Sequence, residues 1–153
     1  MKKINLIIAI LACVFTSEAQ TYEYKVITSV ESIVSSGLGR SRIISTDENR
    51  NYKEYTSERT DGKTSKDKRN KSDRSDIRVK NFEETKLLNF FNLGGIRFQN
   101  IAANDAVITS KINTMIEEGW DVAFVTSAVE SYAGKGDNGG IFITRYIFKR
   151  PTQ

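Results

Sequence analysis

One stretch of the chain, from Asn104 to Asp121, carries a start signal, an apolar face and a stop signal for a single helix. Its apolar residues recur at helical spacing with polar residues between them, which predicts a helix with one buried face. Asn104 or Asp105 is suited to be the N-cap, because a short side-chain oxygen accepts hydrogen bonds from the first free N–H groups. Gly119 supplies the left-handed residue that commonly ends a helix. The predicted buried face comprises Ile108, Ile112 and Met115, extended by Ile101 and Ile116.

Trp120 follows this helix directly and leads into the apolar run DVAFV. An indole at such a joint can bury a large apolar surface between a helix and a sheet, and its truncation typically costs about 3–5 kcal/mol. We therefore interpret Gly119 and Trp120 as a structural anchor. The alternative is that the indole is a stacking platform for the ring of a ligand.

Alternating side chains predict strands on both sides of the helix. Tyr22 to Val30 alternates well enough for a strand with one buried face, and SRIIS from Ser41 resumes an extended pattern after a glycine-containing turn. We expect these two pieces to form an antiparallel hairpin, with YKEYT from Tyr52 as a third extended piece. The run after Trp120 predicts a mostly buried strand to about Val129.

The C-terminal run GIFITRYIFKR predicts the closing strand, joined to the preceding strand by a glycine-dense segment at 134–140. Because these glycines lead into a strand rather than a helix, we interpret the segment as a hairpin loop and not as a phosphate loop. Two apolar sets lie on opposite faces of the closing strand: Ile141, Ile143 and Ile147 with Arg145 as an odd member, and Phe142, Tyr146 and Phe148.

Phe82 to Asn92 (FEETKLLNFFN) predicts a short second helix or an irregular apolar segment that covers the sheet. The elements together predict an α+β fold. We expect an antiparallel sheet of about four to five strands, one main amphipathic helix packed on one face, and a short second helix.

Met1 to Ala19 has the pattern of a secretory signal peptide. It has a positively charged start, an apolar core from Ile4 to Phe15 and small residues at positions 17 and 19. We expect cleavage after Ala19 and a single mature domain at 20–153, periplasmic or secreted, without a transmembrane segment. The alternative is a lipoprotein, in which Cys13 is lipidated and becomes the first residue.

The composition removes several classes of catalyst. The chain has no histidine, and its single cysteine, Cys13, lies within the predicted signal peptide. A thiol nucleophile, a zinc site of the Cys/His type and imidazole catalysis are therefore excluded for the mature chain. We expect no cofactor and no enzymatic activity. The alternative enzyme is a carboxylate-dependent hydrolase, although the neighbours Glu117 and Glu118 point apart on a helix, and Glu83 and Glu84 raise the same difficulty.

One turn has the spacing of a calcium-binding loop. Its first, third, fifth and twelfth positions are Asp47, Asn49, Asn51 and Glu58. The sixth position, however, is Tyr52 rather than the glycine that the sharp turn requires. We therefore predict a polar hairpin turn and no metal site.

Residues 57–80 should form a mobile charged loop, because so polar a segment buries too little surface to offset the entropy of ordering it. The stretch 59–80 is locally basic, although the formal net charge of the whole chain is only +4. It has no aromatic residue to stack on a base, so we expect no sequence-specific binding of nucleic acid. The alternative function is weak, salt-sensitive binding of a polyanion through Lys66, Lys68, Arg69, Lys71 and Arg74.

Three motifs, taken in order, resemble a known bacterial family. They are YEYKV at Tyr22–Val26, EEGWDVAFV at Glu117–Val125 and YIFKR at Tyr146–Arg150. They are similar to the family called domain of unknown function 4177, in an exported Bacteroidetes-type form with a long insertion. The resemblance implies a compact α+β unit with one helix packed across an antiparallel sheet, and it implies no particular activity.

The leading hypothesis is a secreted or periplasmic, non-enzymatic module that binds an unknown protein partner or itself. No catalytic constellation survives the composition. A domain with one helix and one sheet also commonly leaves a face or an edge of the sheet open for pairing.

Overall fold

The computed structural model describes residues 20–32, 41–59, 71–92, 94–130 and 140–152. The predicted signal peptide, the centre of the basic loop and most of the glycine-dense segment lie outside these residues. Within the described ranges, no helix is both long enough and apolar enough to cross a membrane.

Five strands form one antiparallel sheet, and one long helix packs on one face of it, which confirms the predicted α+β fold. The order of the strands across the sheet is β3-β2-β1-β7-β6, and β4 with β5 forms a separate two-stranded sheet. In chain order the elements are β1 (Tyr22–Ser32), β2 (Arg42–Ser45), a 3-10 helix (Tyr52–Tyr55), α1 (Arg74–Ile77), β3 (Glu83–Lys86), β4 (Phe91–Asn92), β5 (Gly95–Ile96), α2 (Phe98–Glu117), β6 (Asp121–Val129) and β7 (Ile141–Pro151).

The central strand β1 and its neighbour β7 come from opposite ends of the domain. β1 and β7 pair along their whole lengths, from Tyr22 opposite Pro151 to Ser32 opposite Ile141. The predicted hairpin of β1 with β2 is confirmed, as is the pairing of β6 with β7. The proline at the end of β7 does little harm there, since only the last ladder position loses a donor.

The main helix α2 begins at Phe98 and not near Asn104. The prediction that Asn104 or Asp105 caps it is therefore wrong, and the N-cap is Arg97, whose side chain makes no cap hydrogen bond. Asn104 lies inside the helix and is only 1% exposed. Its amide bonds to the backbone of Leu88 in the connection that follows β3. A residue type that favours caps is used here for a tertiary contact.

The C-terminus of α2 is closed by a Schellman motif. Gly119 has a positive φ of 86°, its N–H donates to Ile116 O at 2.9 Å, and the Trp120 N–H donates to Met115 O at 3.0 Å. Both bonds satisfy carbonyls that the helix leaves unpaired. The reversal turns Trp120 back toward the sheet, where the indole is 6% exposed.

The core lies between α2 and the central strands. It contains Ile27, Ile43, Leu87, Met115, Trp120 and Phe148, with Val107, Ile108, Ile112 and Tyr146 packed against it. Met115 and Phe148 are almost completely buried, at 1% and 0% exposure. The strand residues of this cluster come from β1, β2 and β7, and none comes from β6.

Three segments differ from their predicted conformation. YKEYT forms a 3-10 helix rather than a strand, because the Asn51 side chain accepts the Lys53 N–H and closes the turn. Phe82 to Asn92 forms β3 and β4, since the backbone of β3 finds ladder partners on β2. β6 is exposed at all nine residues, so the prediction that it is mostly buried is wrong.

Candidate functional site

The two faces of the sheet are covered very differently. The face under α2 carries the buried residues Ile27, Ser29 and Ile43. Because side chains alternate along a strand, the residues between them point to the opposite face, which we call the open face. Pairing across the strands makes this face continuous, since Val26 lies opposite Ile147, and Ile147 lies opposite Phe124. The central part of the open face comprises Tyr24, Val26, Thr28, Val30, Ile44, Phe124, Thr126, Ala128, Ile143, Arg145 and Ile147. Charged residues lie at its margins, namely Arg42, Glu84, Lys86 and Lys149.

The central part of the open face is mostly apolar, and several of its side chains are exposed among the described residues. Tyr24 is 64% exposed, Val26 45% and Phe124 61%, while its isoleucines and Val30 are half-buried among one another. Among the described residues, the side chains of α2 that pack on the sheet join Ile27, Ile43 and Phe148, which lie on the opposite face. A contiguous apolar patch on a soluble domain marks a surface that associates with something.

Arg145 stands at the centre of the open face, between Thr28 on β1 and Thr126 on β6. It is exposed, and no carboxylate in the described part of the chain forms an ion pair with it. The nearby Lys149 on the same strand face lies 5.0 Å from the centre of the Tyr22 ring. The centre of the open face thus presents a guanidinium, with five donors in a planar fork, that makes no ion pair with a described residue.

β6 forms one edge of the sheet, and after its bulge near Phe124 it has none of the charged residues or prolines that usually protect an edge strand. It pairs with β7 on one side, and among the described residues nothing pairs with its other side. Val122, Val125 and Val129 are 42%, 46% and 57% exposed. Its one charged residue, Asp121, is the first, and the strand contains neither lysine nor proline. Natural edge strands normally carry such residues because they discourage pairing with another chain.

The opposite edge, β3, shows that protection. It is only four residues long and contains Glu83, Glu84 and Lys86. Glu83 accepts bonds from Ser45 Oγ at 3.0 Å and from Lys111 Nζ at 3.1 Å, and Arg42 bonds to Glu84 at 2.6 Å. Short length and charge both disfavour pairing at this edge. The two edges of one sheet therefore differ, and β6 is the one open to a further strand.

A shallow depression of about 620 Å³ lies beside Trp120. Four of the charged groups that line it form two ion pairs: Lys25 bonds to Asp47 at 2.6 Å, and Arg150 bonds to Glu23 at 2.7 Å. The Arg150 guanidinium also lies 4.3 Å from the centre of the indole ring and covers it. The depression thus presents internal ion pairs rather than a ring face open to a ligand.

The basic residues proposed for polyanion binding fall partly outside the described ranges. Lys66, Lys68 and Arg69 lie outside them. Lys71 and Arg74 are exposed, the latter in the short helix α1. The described end of this segment is held by hydrogen bonds to the turn after β2. Arg50 donates to Arg78 O at 3.0 Å, Tyr55 Oη donates to Asp76 O at 3.2 Å, and Glu48 accepts the N–H of Lys80 and of Asn81.

The residues with calcium-loop spacing make other contacts. Asp47 accepts from Lys25, and Asn51 caps the 3-10 helix. In the described part of the chain, no group of three or more carboxylate, thiol or imidazole side chains is close enough to hold a metal ion. The carboxyl pair Glu83 and Glu84 lies on β3 and not on a helix, and its members point to opposite faces of the sheet.

Among the described residues, three carboxyl groups have a pKa below the ordinary value, each mainly because of hydrogen bonds. The pKa of Asp47 is lowered by the bond from Lys25 and by its charge. The Asn81 N–H, with help from Arg50, lowers the pKa of Glu48. Bonds from Lys111 and Ser45 lower the pKa of Glu83. These hydrogen bonds favour the ionised form of all three carboxyl groups at neutral pH. The ionised form is the one that makes ion pairs between different segments of the chain.

The features that sequence reasoning missed are the open edge of β6 and the position of Arg145. The alternation of β7 did show Arg145 as the odd member of an isoleucine row. The sequence did not show the strand order. That order places β6 at the edge of the sheet and decides which face is left uncovered.

Comparison of the chain with family models, with curated proteins and with solved structures finds no match. The resemblance of its three motifs to the domain of unknown function 4177 family therefore stays a prediction.

Proposed function

We propose that this protein is an exported, non-enzymatic binding module that holds a protein partner against the open face of its sheet. On its three motifs we also propose that it is a relative of the domain of unknown function 4177 family. The observation that carries the proposed function is the exposed, mostly apolar open face with Arg145 at its centre, which forms no ion pair with any described residue.

The chemistry of the open face specifies the kind of partner. Its apolar side chains favour a partner that presents an apolar surface, because burial contributes roughly 25 cal/mol per Å² of apolar area removed from water. Arg145 favours a carboxylate at the centre of that surface, since a guanidinium binds a carboxylate through two parallel hydrogen bonds. Arginines at the centre of apolar interfaces often contribute much of the binding energy.

The proposal is tested by placing a photoreactive amino acid on each side of the domain in cells that export it. Val26→p-benzoylphenylalanine puts the reactive group on the open face. Asn113→p-benzoylphenylalanine puts it on the solvent side of α2, where the residue is also exposed. We expect irradiation to give a discrete crosslinked partner from position 26 and none from position 113.

A charge reversal tests the role of Arg145 in the same assay. Arg145→Glu should lower the yield of the crosslink from position 26 by about tenfold or more, because truncating or reversing a central arginine typically costs above about 2 kcal/mol. Arg97→Glu is the matched control, since Arg97 is also exposed but precedes α2. Equal yields from the two variants, or a partner captured only from position 113, would refute the proposed function.

A further inference from the structure

We infer that two copies of this chain join through β6, antiparallel and centred on Ser127, to form one continuous sheet. The inference goes beyond the proposed function, because it uses the edge of the sheet and not its open face. A second copy is the partner that the edge specifies, since the geometry of β6 makes it complementary to itself.

The direction of the backbone groups along β6 follows from one hydrogen bond. The Glu130 N–H donates to Ile141 O at 2.9 Å, so it points into the sheet. Backbone direction alternates along a strand in an antiparallel ladder. The N–H and C=O groups of Val125, Ser127 and Val129 therefore point away from β7, off the edge of the sheet. These three residues offer a row of donors and acceptors that no described residue pairs with.

A bulge fixes the centre of the pairing. The register of β6 with β7 shifts between Val122 and Phe124, and a bulge interrupts the regular row of backbone groups. The regular part of the edge therefore runs from Phe124 to Glu130, and its midpoint is Ser127. A two-fold axis there sets Ser127 opposite its own copy and Val125 opposite Val129 of the second copy. Every outward N–H and C=O of the three residues then has a partner.

The side chains agree with this register. Val125 and Val129 are about half exposed in one copy. In the dimer, Val125 of each copy forms an apolar cross-strand pair with Val129 of the other copy. Between Phe124 and Val129 the strand has no charged residue, so no like charges meet across the axis. Cross-strand pairs of β-branched residues stabilise a sheet, whereas facing like charges destabilise it.

The arrangement also doubles the open face. A two-fold axis perpendicular to the sheet keeps equivalent faces on the same side, so both copies of α2 lie on one side and both open faces on the other. The joined sheet then presents a surface with two copies of Arg145. Because a strand-edge contact is small by the standard of stable interfaces, we expect an affinity of about micromolar order.

Single cysteines test the register directly. In a Cys13→Ser background the chain has no other cysteine. Opposed residues of a hydrogen-bonded pair lie about 5.5 Å apart between Cα atoms, within the range that a disulfide spans. Ser127→Cys should therefore give a disulfide-linked dimer under mild oxidation. Val125→Cys and Val129→Cys should each fail alone, because four positions of offset separate equivalent residues by more than about 13 Å. An equimolar mixture of these two variants should crosslink.

Sedimentation of the unmodified protein provides a measurement without cysteines. We expect a monomer–dimer equilibrium that Val125→Lys shifts toward monomer by about tenfold or more, since a lysine on an edge opposes strand pairing. Asn113→Lys, on the exposed side of α2, is the control that should leave the equilibrium unchanged.

Equal crosslinking of all three cysteine variants, or a monomer at every concentration together with no crosslink from Ser127→Cys, would overturn the inference. A partner captured from position 26 by a protein that stays monomeric would overturn the dimer and leave the proposed function standing. A dimer with the predicted cysteine pattern but no partner at position 26 would support the dimer and overturn the proposed function.

Discussion

Replacing Asn104 with alanine should strongly destabilise the domain, although asparagine is a poor helix former. The Asn104 side chain sits inside α2 and is 1% exposed. Its Nδ2 donates to Leu88 O at 2.8 Å and to Glu31 Oε1 at 2.9 Å, and its Oδ1 accepts from Leu88 N at 2.7 Å. One side chain thus joins α2 to β1 and to the connection after β3.

The magnitude follows from what the alanine variant leaves behind. Each hydrogen bond contributes about 0.5–1.5 kcal/mol, and a buried backbone group left without a partner costs about 1–3 kcal/mol. The N–H and C=O of Leu88 are only partly buried, so water relieves part of that cost. Alanine also improves helix propensity by up to about 0.7 kcal/mol. The net effect of Asn104→Ala is a loss of about 3 kcal/mol in the free energy of unfolding.

Urea unfolding followed by the fluorescence of Trp120 measures this loss, because it is the only tryptophan in the chain and is buried. Asn113→Ala, on the exposed side of the same helix, is the matched control. It should be neutral or slightly stabilising, since only helix propensity changes. A loss below about 1 kcal/mol for Asn104→Ala would refute the role given to its hydrogen bonds.

Three further perturbations test the packing around α2. Ser29→Ala should raise the free energy of unfolding by about 1 kcal/mol in the same urea assay, because the buried Ser29 hydroxyl has no hydrogen-bond partner among the described residues; a loss of stability would contradict this. The bond from Lys111 lowers the pKa of Glu83 from its ordinary 4.5, so its stabilisation is present above that pH and is lost as the pH falls through the lower folded-state value. Glu83→Gln should therefore flatten the fall in the urea midpoint between neutral pH and about pH 3, and an unchanged slope would count against the ion pair. Arg150→Met should cost about 1 kcal/mol through the lost cation–π contact and exposed ion pair, and should shift the emission of Trp120 to longer wavelength; unchanged emission would show that the guanidinium does not cover the ring.

The elements predicted well from sequence are those whose local pattern and tertiary surroundings agree. β1 and β7 alternate along their length, and both are interior strands with one face under α2. The end of the helix could be predicted because Gly119 adopts a positive φ there, a conformation that favours glycine. Its start was not, since Asn104 looks the same in sequence whether it caps a helix or bonds to a distant backbone.

The candidate site was much less accessible to sequence reasoning. The alternation of β6 resembles that of a buried strand, and only the strand order shows that this strand lies at an edge and outside the core cluster. Both sets of side chains on β7 are apolar, so the sequence did not indicate which set is covered. The alternation of side chains shows which residues share a face of a strand. Which element covers each face depends on the tertiary structure.

The most direct test of the account is whether the open face is exposed to solvent. A soluble paramagnetic agent broadens methyl signals according to their distance from the protein surface, so it compares neighbouring residues of one strand in a dilute sample. We expect strong broadening for the methyl groups of Val26, which is 45% exposed, and almost none for Ile27, which is 3% exposed. Equal protection of Val26 and Ile27 would contradict the central claim that one side of this sheet is left uncovered for binding.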